Sequence, residues 1–411
     1  MILGLSEKVQ NLRNEVRDFI NNEVRPKEED YFLDVGANGS RFKFTKKMLN
    51  IINDLKQKAK SKSLWNFWLT DAETGHSLTT VEYAYLAEEM GKCRLGAEIF
   101  NCSAPDTGNM EVLKRYGSQK HKDLWLRPLL DGEIRSAYCM TEPDVASSDA
   151  TNISLNAKSF GDHYILNGEK WWISGAGDPR CKVYIVLAKT GNSIINKHGN
   201  HSMFVVPSNT DGIKILRPMQ VYGHDDAPHG HMHISFKNVK VKKEDLLLGK
   251  EGKGFEIAQG RLGPGRIHHC MRAIGQAEFA LELMCDRALT RTAFGKKISE
   301  LGANYDIIAN SRIEIEMARL LCLKAAWMMD NHDPKAAAPW ISKIKVIAPQ
   351  VALKVVDEAI QLYGGMGVSQ DTPLAAAWTH LRTLRLADGP DAVHRRQVAR
   401  AELKKFQKND F

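Results

Sequence analysis

Near the C-terminal end of the chain, within LRLADGPDAVHRRQVAR, an aspartate stands before glycine and proline: Asp388, Gly389 and Pro390. A carboxylate carried on such a bend is a candidate proton acceptor if it is held away from water. In solvent an Asp titrates near ~3.9 and is a poor base, and enclosure raises that value. The same residues also make good helix N-cap sequence. Two further segments concentrate recognition groups. AYCMTEPDVASSDA at 137–150 sets Thr141, Glu142, Pro143, Ser147, Ser148 and Asp149 behind a short apolar stub. Hydroxyls and turn N–H groups of this kind suit a polar cofactor. GEKWWISGAG at 168–177 places Trp171 and Trp172 before Ser174 and a Gly-Ala-Gly bend. Flat aromatic area beside a hydroxyl suits a large planar heterocycle. Each segment alone would also read as an ordinary loop or a strand with core tryptophans.

Two later segments suit phosphate. RTAFGK at 291–296 offers Arg291, whose guanidinium fork matches phosphate oxygens. QLYGGMGV at 361–368 follows a helical run, and Gly364 and Gly365 allow close approach of a ligand to the backbone. A helix C-cap is the simpler reading of a double glycine. His268 and His269 follow Arg266 on a helical stretch and have no ligand-spaced Cys or carboxylate partners, which favours packing or subunit contact over metal binding.

The elements that must position these groups fall into three blocks. Residues 1–135 carry helical periodicity: Val9, Leu12, Val16, Phe19, Ile20 and Val24 form one stripe that Pro26 is expected to stop, with further helical stretches at 44–60, 80–92 and 107–130. From 136 to 246 come short β-rich runs separated by Gly, Pro, Asn and Asp clusters, the pattern of a small β-barrel or sandwich. From 247 to 411 the helical period returns, with stripes through Ile308, Ile315, Ala318, Cys322, Ala325 and Met329 and through Ile344, Ile347, Val351, Val355, Ala359 and Leu362, and Pro349 expected to kink the second. The 411 residues are enough for two or three domains. Seven scattered cysteines without a CxxC pair speak against zinc or a disulfide framework. The formal net charge of +8 is spread along the chain without a basic block. That pattern favours no nucleic-acid partner, and no apolar run reaches the ~20 residues of a membrane span. The opening segment contains Glu7, Glu15 and Asp18, unlike a targeting leader, and KKFQKNDF is not a peroxisomal signal.

Helices, then β structure, then helices, with TEP…SD, WWIS, R-x-x-FGK, Q-x-Y-GG-x-G and an acid-Gly pair in that order, resembles the acyl-CoA dehydrogenase family over almost the whole chain. The resemblance implies an α+β fold with an N-terminal helical domain, a middle β-barrel and a C-terminal four-helix bundle. It implies FAD bound through Tyr138, Met140, Thr141, Ser148, Trp172, Ser174, Arg291, Gln361, Gly364, Gly365 and Pro390. Acyl-CoA substrate would meet Ser148, Arg266, Asp388 and Gly389, with Asp388 as the catalytic base. The backbone N–H of Asp388, together with a ribityl hydroxyl, would steady the thioester oxygen, a type of contact worth about 3–4 kcal/mol. Two departures stand out. The family usually has Glu where this chain has Asp388, and a second family location for the base falls on Gly265. Gly302 replaces a Gln that usually contacts the flavin adenosine. Arg385, close to the acid in sequence, is expected to point elsewhere. An electron-transfer flavoprotein as acceptor, a homotetramer built as a dimer of dimers, and a medium, long or 2-methyl-branched acyl chain follow as expectations. So does a mitochondrial or peroxisomal location in a eukaryote, or a cytoplasmic one in a bacterium. The alternatives are a flavin oxidase on the same fold, acting on acyl-CoA or nitroalkane, and a non-catalytic flavoprotein binding acyl chains or DNA.

Overall fold

The computed structural model describes residues 4–69 and 75–407, without the side chains of Leu262 and Pro264; the outermost residues of the first and last sequence blocks lie outside that range. Contacts divide the chain into two compact units. One comprises Met1–Pro26, Phe67–Ala97 and Arg266–Phe411, the other Lys27–Asn66 and Glu98–Gly265. The division falls inside the Gly254–Thr290 helix.

The first unit is helical. Ser6 caps the Glu7–Phe19 helix, and Val9, Val16 and Phe19 from the expected stripe are buried. Pro26 does not end this run. A single wide π-turn at Ile20–Val24 leads into a new helix, Arg25–Leu33, in which Pro26 occupies the first turn. A missing N–H costs nothing there, so the sequence expectation is corrected. Thr79 and Glu82 close a capping box on the Thr80–Gly91 helix. The Asn304–Asn331 helix packs on Pro334–Tyr363 and on Thr80–Gly91, and Pro334–Tyr363 in turn carries Leu374–Leu384 and Asp391–Leu403. The Pro334–Tyr363 helix runs through both Pro339 and Pro349. Buried carboxylates lock the arrangement: Glu88 takes both Arg319 nitrogens at 2.9 and 3.1 Å, and Glu278 takes both Arg312 nitrogens at 2.6 and 2.8 Å. Fork-to-carboxylate pairs of this type fix register as well as charge.

The second unit is built on one eight-stranded, mainly antiparallel sheet. Its strands are β1 Arg135–Cys139, β2 Asn156–Ser159, β3 His163–Ser174, β4 Cys181–Lys189, β5 His201–Pro207, β6 Ile213–Pro218, β7 His231–Lys242 and β8 Leu247–Leu248. The order is β6-β7-β3-β2-β4-β5-β8, with β1 parallel to β4, so among the described residues the ladder stays open at β6 and β8. β4 is buried on both faces, as its run VYIVLA requires. β7 alternates, burying Met232, Ile234 and Phe236, then shifts phase to bury Val239 and Val241. Tyr164, Tyr184, Phe204 and Phe236 fill the core between these strands. Among the described residues no helix is long and apolar enough to cross a membrane.

Candidate active site

In the β unit the two polar segments meet. The backbone N–H of Trp171 donates to the Thr141 carbonyl at 3.0 Å. Beneath them Lys170, wholly buried, donates to the Met140 carbonyl at 2.9 Å and to Glu142 Oε1 at 2.8 Å. Glu142 Oε2 accepts from the Ser154 N–H and hydroxyl, and Oε1 also accepts from the Leu155 N–H. Burial pushes the Glu142 carboxyl up, but Lys170 and these donors outweigh it and hold it below the ordinary range. Glu142 is therefore a buttress for the segment that carries Met140 and Thr141.

The register of β3 against β7 slips between Lys170 and Ile173. Trp172, inside that bulge, has φ of 56°, a conformation costly for a bulky residue and favoured at sites where a side chain is re-aimed. Beyond it Ser174 pairs with His231 across the ladder, and Ser174 Oγ lies 2.8 Å from His231 Nδ1. His231 Nε2 in turn is 3.8 Å from the Asp226 carboxylate. Tyr138 lies under the buried Arg261 guanidinium, 3.9 Å from the ring centre, and Arg261 donates to Asn109 Oδ1 at 3.1 Å. Ser148 is exposed on the loop that Asp149 ends, where Asp149 accepts from the Thr151 N–H at 3.0 Å.

The helical unit holds the acid. Asp388 has φ of 55° and Gly389 of 100°. A Cβ on Gly389 would sit 2.8 Å from His394 Nε2, so glycine is required there by space as well as by backbone conformation. The Asp388 carbonyl accepts from Arg266 Nε at 2.9 Å and lies 3.2 Å from His394 Nε2. Arg385 donates to Asp391 Oδ2 at 2.9 and 2.8 Å, so its charge is committed there. Pro390 holds the N-cap position of the Asp391–Leu403 helix, without a side-chain cap bond. The cap role that the sequence allowed for Asp388 is not the one observed. His269 Nε2 stands 3.7 Å from Asp388 Oδ2, an adjacency that the sequence reading of the His268–His269 pair as packing did not foresee. Burial pushes His269 down to about 3 and His394 down to about 4, with Arg272 and Arg266 respectively adding to the effect, so both rings are neutral near pH 7. Burial also lowers Lys345, whose Nζ donates to the Leu384 carbonyl just before the acid loop.

Elsewhere in the helical unit, Arg291 is exposed at the end of the Gly254–Thr290 helix, where its carbonyl accepts from the Ile298 N–H at 3.0 Å across a short hairpin. Gln361, Gly364 and Gly365 are exposed at the end of Pro334–Tyr363. A Cβ on either glycine would meet nothing within 4 Å, the open space that an approaching ligand needs. Gly302 is likewise open, at φ of 58°. Among the described residues no group of three His, Cys, Asp or Glu side chains could hold a metal ion.

A helical unit and a β unit with a strained aromatic bulge beside hydroxyls make this an α+β protein. The chain belongs to the acyl-CoA dehydrogenase family. Its residues 6–133, 137–239 and 252–403 match the models of the acyl-CoA dehydrogenase N-terminal, middle and C-terminal domains. It is 49% identical to rat acyl-CoA dehydrogenase family member 11 over 98% of this chain and 51% of that protein. It is also 49% identical to a Mycobacterium tuberculosis protein assigned as acyl-CoA dehydrogenase FadE2, over 100% of this chain and 99% of the relative. The chain thus spans about half the length of the vertebrate relatives it matches. A solved Mycobacterium abscessus structure assigned as an acyl-CoA dehydrogenase superposes with a TM-score of 0.93 at 49% identity, covering 98% of this chain and 100% of that one.

Proposed function

We propose that this chain is an FAD-dependent acyl-CoA dehydrogenase that converts an acyl-CoA to the trans-2-enoyl-CoA, with Asp388 as the base. The placement of Asp388 carries the reading. The carboxylate rides on a loop whose backbone is pinned through its carbonyl by Arg266 and His394, and whose nearest sequence cation, Arg385, is tied to Asp391. An acid so fixed can take the α-proton of a thioester without moving, which is where positioning contributes most to rate. A bound acyl chain would strip water from the loop and strengthen the base.

The residues present fit FAD. Trp172 and Ser174, set by the β3 bulge, supply flat area and a hydroxyl for the ring. Met140 and Thr141 are held in place by Lys170 and Trp171, and Arg291, Gln361, Gly364 and Gly365 offer a guanidinium and open backbone for the diphosphate and adenosine. When bound, the flavin supplies the acceptor for the β-hydride. Tyr138, Ser148, Pro390 and Gly389 complete the proposed contacts.

The exposure of Arg291, Gln361 and the glycines, together with that of Phe294, Tyr305, Ile313, Met317 and Leu320 in the same unit, supports a homotetramer in which a neighbouring copy shares the cofactor. Electron-transfer flavoprotein as acceptor and a medium, long or 2-methyl-branched substrate belong to the same proposal on family grounds. Anaerobic titration with a panel of straight and 2-methyl acyl-CoA thioesters tests it. The yellow flavin should bleach with the preferred chain, and aerobic turnover should yield little peroxide. Asp388→Asn should keep its flavin and lose bleaching; reduction at near the parent rate would refute the base assignment.

A further inference from the structure

Asp388 has a neighbour to which the proposed reaction assigns no role. His269, on the Gly254–Thr290 helix, places Nε2 3.7 Å from Asp388 Oδ2, while its Nδ1 lies 3.3 Å from an Arg272 guanidinium nitrogen. A guanidinium only donates, and it stays charged at any working pH, so Nδ1 must be the acceptor. The ring is neutral, since burial first and Arg272 second push its pKa to about 3. A neutral imidazole carries one N–H, and with Nδ1 accepting, that proton sits on Nε2, the nitrogen beside the carboxylate.

We propose that His269 is a positioning residue, held by Arg272 as the Nε2–H tautomer so that its one N–H is turned toward Oδ2 of the proposed base. The inference rests on Asp388 being the base. The arrangement favours the charged carboxylate before substrate arrives, since a donor turned toward the ionised form lowers its pKa. His269 transfers nothing: Asp388 gains the one proton that the carbon loses, and the ring keeps its own.

The charged and titratable groups around the pair come from every packed element. Arg266 and Arg272 share the helix with His269. Lys345 comes from Pro334–Tyr363, His380 from Leu374–Leu384, and Asp391 and His394 from the last helix. Several are committed: Lys345 to the Leu384 carbonyl, Arg266 to the Asp388 carbonyl, and Asp391 to Arg385. His269 faces the carboxylate itself, with Nε2 3.7 Å from Oδ2.

The test uses the flavin-loaded enzyme and two readouts. In solid-state 15N spectra of histidine-labelled protein, with His269 assigned by its loss in His269→Gln, the ring should be neutral with the proton on Nε2. In stopped-flow flavin reduction against pH, His269→Leu should move the acidic limb up by about one unit, about tenfold slower below it. His269→Gln, whose amide nitrogen can stand where Nε2 stood, should restore most of the parent profile. A proton on Nδ1, or Leu and Gln variants whose acidic limbs both match the parent, overturns the proposal. If His269→Leu fails to fold, the tautomer and the Gln profile still decide. If Asp388→Asn reduces flavin normally, the base assignment falls and this inference with it. If Asp388→Asn is inactive while the ring carries Nδ1–H, only the positioning role falls.

Discussion

Lys170 and Glu142 offer a sharp test of how the β unit holds its two polar segments, because both side chains are buried, with exposures of 0% and 3%. Lys170→Met removes one of four donors to the Glu142 carboxylate and strands the Met140 carbonyl, which loses a charge-assisted bond worth about 1.5–3 kcal/mol. The carboxylate keeps Ser154 and Leu155, so the total should fall near the low end of the range for breaking a buried pair, about 3 kcal/mol. Glu142→Gln is worse. It leaves a wholly buried ammonium with only neutral acceptors and turns an amide NH₂ toward the donating Ser154 N–H. Burial already lowers Lys170 despite its partner, and release of its proton limits the damage to about 5 kcal/mol. Once one charge is gone the other is a burden, so the double variant should cost less than the sum by about 2 kcal/mol or more. Urea midpoints, followed by the release of flavin fluorescence at fixed protein and flavin concentration and converted with a common slope, measure all three. Each single variant should also purify with less flavin, since Met140 and Thr141 lose their support. Additive costs, or a Lys170→Met change below about 1 kcal/mol, would refute the reasoning.

Acid should unfold the helical unit earlier than its carboxylates alone would dictate. Burial holds His268, His269 and His394 at about 3, 3 and 4 in the folded chain, below the ordinary 6.5, so the unfolded chain binds more protons between those limits. Stability is then full above the unfolded value and falls as pH drops below it, by up to about 1.4 kcal/mol per pH unit for each ring. Melting curves from pH 7 to 5 should show the loss, and His268→Gln should reduce its slope by about a third; a flat parent curve would exclude the effect. Gly275→Ala should destabilise by about 1–3 kcal/mol or more, because a Cβ there would lie 2.0 Å from the Glu88 carbonyl oxygen at a backbone-to-backbone helix crossing. Gly265→Ala, whose Cβ meets nothing within 4 Å, should instead be neutral or stabilising by about 0.5–1 kcal/mol in the same melts.

What could be read from the sequence was what one stretch of chain decides for itself. Helical stripes, the β-rich middle and the TEP, WWIS and DGP segments are local patterns, and each corresponds to an element or loop that the structure contains. Pro26 misled because a proline's effect depends on its position in the turn, which the preceding π-turn resets. What could not be read is what distant stretches do to each other. Glu142 stood in view as part of a recognition motif, yet its carboxylate is used inward, on Lys170 and two backbone N–H groups. His269 and Asp388 are separated by well over a hundred residues, and no spacing rule links a helix position to a loop that far away. A signal was nonetheless present for His231: the run GHDDAPHGHMH ends in an alternating strand that holds His231 and His233 two residues apart, so those two side chains must share a face. One of them lands on Ser174. The residues proposed for chemistry, Asp388 and Ser174, are thus legible in the chain, whereas the imidazoles beside them become visible only once the chain has folded around them.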